Sequence, residues 1–166
     1  MKNILYLFLV LTSFEISAQT TAEEYISSGA SKFYLGDMKG AIVDYTKAIK
    51  IDSNFVEAYR KRGLAKERLK DFSGAIVDYT KAIEIDSNYA PAYRDRGIAK
   101  GKLKDHSGVV EDYTRAIEID PNYATAYFNR GVSKFYLGDT IGACKDARKA
   151  QELGDDASIL IKKACN

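Results

Sequence analysis

The sequence predicts an all-α solenoid, four helix pairs stacked in a row and closed by a C-terminal capping helix. Three observations carry this expectation. The chain repeats itself at an interval of 34 residues, four times over. Within each copy, apolar and small residues recur three and four positions apart, which marks one face of an α-helix. The composition agrees: 166 residues contain only 2 Pro, with 46% hydrophobic and 29% charged residues, a balance that suits helices and excludes a disordered chain.

Taken in order, the first element is residues 1–18. They carry one positive charge at Lys2, run apolar from Ile4 to Leu11 and reach a small residue at Ala18. This is the pattern of a secretory signal peptide, and the apolar run is about half of the ~20 residues that a spanning helix needs. Export to a bacterial periplasm or beyond the cell is therefore expected, with no integral membrane segment in the mature chain.

The four copies follow as units 22–55, 56–89, 90–123 and 124–157. Gly29, Gly63, Gly97 and Gly131 keep the interval, and so do Tyr25, Tyr59, Tyr93 and Tyr127. Lys32, Leu35, Asp37, Gly40, Asp44 and Ala48 each have identical counterparts in the other three copies. The segment AIVDYTKAIKIDSN from Ala41 returns from Ala75 with Lys50 exchanged for Glu84 as its only change. In the second copy, Val56 to Leu69 reads as a first helix with apolar or small residues at Tyr59, Gly63, Ala65 and Leu69. Asp71 caps a second helix through Ala75, Ile76, Tyr79, Ala82, Ile83 and Ile85. Asp86-Ser87-Asn88 ends the unit, and Asn88 is expected to cap the next helix. One such pair cannot bury its apolar face alone, so the stack makes the core. Residues 157–165 place Ala157, Leu160, Ile161, Ala164 and Cys165 on one stripe with Lys162 and Lys163 outside it, as a cap for the open end requires.

A 34-residue helix pair with Tyr59, Gly63, Ala75, Tyr79 and Ala82 closely resembles the tetratricopeptide (TPR) repeat. Pro121 falls where that family prefers proline, and Ser53 and Ser87 stand there in the first two copies. The resemblance implies a right-handed α-α superhelix whose inner surface is lined by the first helix of each pair. Two departures are notable. Val109 replaces the alanine of the other copies and is expected to crowd its helix pair. Ala147 replaces Tyr45, Tyr79 and Tyr113, and is expected to make room for the terminal helix.

Little in the chain suggests catalysis. The formal net charge is +2 and there is 1 His. His106 falls in a turn, and neither a phosphate-binding glycine loop nor an H-E-x-x-H motif occurs. No cofactor and no metal are expected, and the chain is read as not an enzyme. Cys144 takes the core position of Ile42, Ile76 and Val110, while Cys165 lies on the inward stripe of the cap. An oxidising compartment makes them a disulfide between cap and fourth copy; otherwise they are two buried thiols. A charge ladder also repeats. Arg62, Arg96 and Arg130 are expected to pair across packed helices with Asp44, Asp78 and Asp112 of the preceding copies, and Ser28 breaks the series.

The resemblance implies that a protein or peptide binds in the concave groove. Carried over by position, the groove contains Glu23, Ile26, Ala30, Phe33 and Tyr34, then Glu57, Arg60, Leu64, Glu67 and Arg68. The third copy gives Arg94, Ile98 and Lys102, and the fourth Phe128, Val132, Phe135 and Tyr136. Second helices are nearly identical between copies whereas these positions vary, which separates scaffold from recognition surface. The groove is aromatic at both ends and basic in the middle: Arg60, Arg68, Arg94 and Lys102 are expected to hold a carboxylate or an acidic stretch, and Phe33, Tyr34, Phe135 and Tyr136 to grip apolar side chains; the bland alternative is a solvated face. The two-carboxylate clamp of the family's chaperone-binding branch is not expected, because Ile26, Ala30, Pro91 and Asp95 occupy its sites.

Three functions compete. The first is an adaptor binding a protein or peptide in the groove. The second is a spacer or subunit of an envelope assembly, docking through its ends or convex face. The third, an RNA reader, is disfavoured by the fixed period, the low charge and the signal peptide, so no nucleic-acid partner is expected. The chain is read as a monomer or as weakly self-associating.

Overall fold

The computed structural model describes residues 21–166; the expected signal peptide at 1–18 lies outside them. Nine helices follow one another among the described residues. They are α1 over 21–34, then α2 (Met38–Ile51), α3 (Val56–Arg68), α4 (Phe72–Ile85), α5 (Ala90–Lys102), α6 (His106–Ile119), α7 (Ala124–Tyr136), α8 (Thr140–Glu152) and α9 (Ser158–Ala164). From α2 onward each helix packs on the next, and the first helices α3 and α5 also touch. The odd-numbered helices therefore share one face of the stack.

Each second helix starts the same way. Asp37, Asp71, Asp105 and Asp139 accept a hydrogen bond from the backbone N–H of Gly40, Gly74, Gly108 and Gly142 at 2.8–2.9 Å. A Cβ on any of these glycines would collide with the capping carboxylate, which is why the copies keep a glycine there. First helices begin differently. Tyr89 is the N-cap of α5 with no side-chain cap, and Asn88 does not cap it. Asn88 instead donates its backbone N–H to Asp86 at 2.9 Å, and Asn54 and Asn122 do the same to Asp52 and Asp120. The turn takes its shape from the aspartate, two residues earlier than the expected cap.

The core is made of alanines and tyrosines. Gly29, Gly63 and Gly97 exist so that a ring can lie on the helix. A Cβ would stand 2.6 Å from Tyr45, 2.5 Å from Tyr79 and 3.0 Å from Tyr113. The longest of these approaches falls in the third copy, where Val109 replaces the alanine. In the fourth copy Ala147 carries no ring, and Leu160 of α9 comes to 3.2 Å of a Cβ on Gly131 instead. The cap thus supplies from outside the side chain that the other copies supply from within. Ala157 and Leu160 of the terminal stripe are buried with Ala147 and Ala150.

An ion pair repeats along the stack, one in each copy. Arg62 reaches Asp78 at 2.6 Å, Arg96 reaches Asp112 at 2.6 Å and Arg130 reaches Asp146 at 2.8 Å. Each arginine therefore pairs with the aspartate of its own copy and not with that of the preceding one. What it gives the preceding copy is its remaining N–H, donated to Thr46, Thr80 and Thr114 at 3.0–3.2 Å. Lys66, Lys100 and Lys134 add a second cation to the same aspartates. In the first copy Ser28 and Lys32 both bind Asp44 at 2.6 Å. Burial works against the charge of Asp44, but these hydrogen bonds and the charges of Lys32 and Lys47 outweigh it and hold the carboxyl below its ordinary value. The guanidinium groups of Arg62, Arg96 and Arg130 also lie over Tyr59, Tyr93 and Tyr127 at 5.4–5.7 Å, and Lys47 lies over Tyr25 at 4.9 Å, so each repeating tyrosine lies under a cation.

Candidate functional site

The groove positions divide by burial. Tyr34, Arg68, Ile98, Lys102 and Tyr136 are exposed, while Ile26, Phe33, Leu64, Phe128 and Phe135 are half-buried. Ile26 and Phe33 rest on Ala41 and Tyr45, and Leu64 rests on Tyr79 and Ala99. Phe128, Val132 and Phe135 pack against the Ala147–Leu160 cluster under α9, so the cap narrows the aromatic end of the groove. Arg68 lies over the Phe33 ring at 5.7 Å and joins the first two copies.

The basic middle is rearranged. Arg60 donates to Asp95 at 2.6 Å and Arg94 to the other oxygen of the same carboxylate at 2.8 Å. Asp95 is only 3% exposed, so both guanidinium groups are already committed to a buried anion. One carboxylate thus offsets part of the charge of Arg60 and Arg94, so the basic middle expected from their position is weaker than the residue count implies. The aspartate belongs to the third copy alone, with Ser27, Lys61 and Asn129 at its place in the others. Glu67 is occupied as well, accepting from the Tyr79 hydroxyl at 3.1 Å. Uncommitted positive charge is displaced toward Lys102 and Lys104.

Two clefts open between neighbouring first helices. One, of about 200 Å³, lies between α1 and α3 and is lined by Ala30, Phe33, Tyr34, Arg60 and Leu64. The other, of about 700 Å³, lies between α5 and α7 and includes Ile98, Gly101, Lys102, Lys104, Val132 and Tyr136. His106 is the first residue of α6, and its ring stacks on Tyr136 with centroids 4.7 Å apart and planes 14° from parallel. At the far end Cys144 of α8 is joined to Cys165 by a disulfide, with Cα atoms 5.0 Å apart. Among the described residues no group of three or more His, Cys, Asp or Glu is placed to hold a metal, and no helix is long and apolar enough to cross a membrane.

With this geometry in view, two family profiles match the chain: one for the TPR repeat over 29–70 and 105–138, the other for the tetratricopeptide repeat over 56–89. The chain belongs to the tetratricopeptide repeat family. Solved TPR structures share its fold. A crystal structure of MamA protein is 28% identical with a TM-score of 0.82, covering 87% of this chain and 80% of that one. The first TPR of Spaghetti (RPAP3), bound to the HSP90 peptide SRMEEVD, is 28% identical with a TM-score of 0.69, covering 72% and 95%. The Arabidopsis OM64 TPR domain is 26% identical with a TM-score of 0.68, covering 72% and 98%. No curated protein matches the sequence. The all-α TPR solenoid read from the repeat is the architecture of the molecule, and TPR proteins of this kind mediate protein–protein interaction.

Proposed function

We propose that this TPR chain is an exported, non-catalytic adaptor that receives a protein or peptide segment on the face lined by α1, α3, α5 and α7. The observation that carries the reading is where the copies differ. The Arg–Asp–Lys ladder and the Gly–Tyr contacts are repeated almost without change, whereas the groove residues Tyr34, Arg68, Ile98, Lys102 and Tyr136 vary and stay exposed. A surface that varies on an otherwise uniform scaffold is where recognition is placed. The RPAP3 domain similar to this chain holds a peptide, and the same mode is proposed here with a different ligand, since Ile26, Ala30, Pro91 and Asp95 do not form the two-carboxylate clamp of the family's chaperone-binding branch. Export is supported by the pattern of residues 1–18 and by the Cys144–Cys165 bond, which suits an oxidising compartment.

A second reading, the envelope spacer, is favoured by apolar side chains exposed on second helices, Val77 at 67% and Ile141 at 85%. Photo-crosslinking separates the two. A benzoyl-phenylalanine placed at Tyr34, Ile98 or Tyr136 in cells is expected to capture one defined partner, and the same group at Val77 or Ile141 to capture none. Crosslinks from the second-helix positions alone would replace the adaptor with the spacer.

A further inference from the structure

We propose that the cleft between α5 and α7 binds a bulky apolar side chain of a partner segment whose adjacent residues carry carboxylates. This rests on the adaptor reading and narrows it to one place and one ligand chemistry.

The cleft exists because of a single departure from the repeat. Phe33, Glu67 and Phe135 occupy one position in three copies, and the third has Gly101. This glycine differs from the others of the chain. Gly97 lies under the Tyr113 ring, whereas a Cβ on Gly101 would meet only Val109 Cγ2, at an ordinary 3.7 Å. Neither close packing nor backbone conformation calls for it, and a glycine inside α5 weakens that helix. What it leaves is space, about 700 Å³ with Val109 and Tyr113 among its lining, within the ~300–1,000 Å³ of ordinary ligand sites. Ile98 and Val132 add apolar surface from facing helices, and the stacked rings of His106 and Tyr136 form an aromatic wall.

Charge selects the occupant. The lining holds Lys102 and Lys104 and not one Asp or Glu. Neither lysine has an ion-pair partner among the described residues, and both are exposed. Elsewhere on this face Arg60 and Arg94 share Asp95 and Lys61 meets Glu57, while Arg68, without a carboxylate partner, lies over the Phe33 ring away from this cleft. An apolar hollow edged by two unneutralised ammonium groups favours an apolar side chain flanked by anions and disfavours one flanked by cations.

The test is a selection from a random peptide library displayed on phage against the oxidised mature protein, followed by affinity measurement on the enriched peptides. Enriched sequences are expected to place Phe, Trp, Tyr, Leu or Met beside Asp or Glu. Gly101→Phe, which restores the residue found at Phe33 and Phe135, is expected to weaken them roughly tenfold or more. Lys102→Glu combined with Lys104→Glu is expected to do the same while helical circular dichroism and melting temperature stay unchanged. Peptides enriched without acidic residues, or indifferent to Gly101→Phe, would overturn the proposal. If such indifferent peptides lose binding on Leu64→Glu, the adaptor reading survives and this cleft does not. A library that yields no binder sensitive to any concave-face change overturns both.

Discussion

Asp112 is 1% exposed, a position that an aspartate holds only because Arg96 and Lys100 both reach it, at 2.6 and 3.1 Å. Its removal strands two cations in a half-buried seam where only neutral acceptors remain, the Thr80 hydroxyl for Arg96 and the Gly108 carbonyl for Lys100. Asp112→Ala is therefore expected to cost about 3–5 kcal/mol in urea unfolding, against less than about 0.5 kcal/mol for Glu118→Ala on the exposed side of the same helix. Thr80→Val removes the link that Arg96 makes to the preceding copy at 3.0 Å and is expected to cost about 1 kcal/mol. At this scale the sequence was legible in kind and not in partner. Arginine and aspartate share one period, so Asp78 and Asp112 are equally regular candidates for Arg96. Only the packed geometry chooses the aspartate 16 residues onward. Asp95 was hidden for the opposite reason, being present in a single copy, where no repetition announces a role.

Among the elements, α9 depends most on a covalent tie. It has 7 residues, too few to be stable as a helix alone, and its inward contacts come from Ala157, Leu160, Ile161 and Ala164. The Cys144–Cys165 bond closes a separation of 21 residues, for which the chain-entropy relation gives about 3 kcal/mol. Reduction, or Cys144→Ser with Cys165→Ser, is expected to lower amide-exchange protection in α9 roughly a hundredfold while leaving α2 to α4 unchanged, because a solenoid passes a perturbation mainly to its neighbours. Equal losses along the whole stack would show that the cap is coupled globally. The helices themselves were readable, since spacing, glycine and aspartate all point the same way within each copy. The cap was readable from its stripe, and Ala147 announced the gap that Leu160 fills. The Gly101 cleft was harder to see. A glycine in a first helix looks like one more packing glycine until its surroundings prove empty.

Across the whole molecule the copies act together through buried phenols. Tyr45, Tyr79 and Tyr113 are each at most 2% exposed. Burial, helped by the Tyr34 hydroxyl and Glu57, pushes the Tyr45 hydroxyl from 10.0 up to about 12. Burial raises Tyr79 too, together with the Glu67 carboxylate that its hydroxyl contacts, and burial leads again at Tyr113. Since the folded value lies above the unfolded one, each tyrosine favours folding in its neutral form. That contribution is intact below about pH 10, and it is lost as pH rises from 10 through the raised folded values. Above pH 10 each such phenol lowers stability by about 1.4 kcal/mol per pH unit, so three in adjacent copies steepen the loss threefold. Alkaline titration is therefore expected to show these phenolates appearing together with the loss of helical ellipticity, in one cooperative step. Tyr113→Phe deletes one ionising group and is expected to move that step to higher pH and make it shallower. A step that keeps its midpoint and slope in the Tyr113→Phe protein would mean that the stack opens for another reason and the buried phenols follow it.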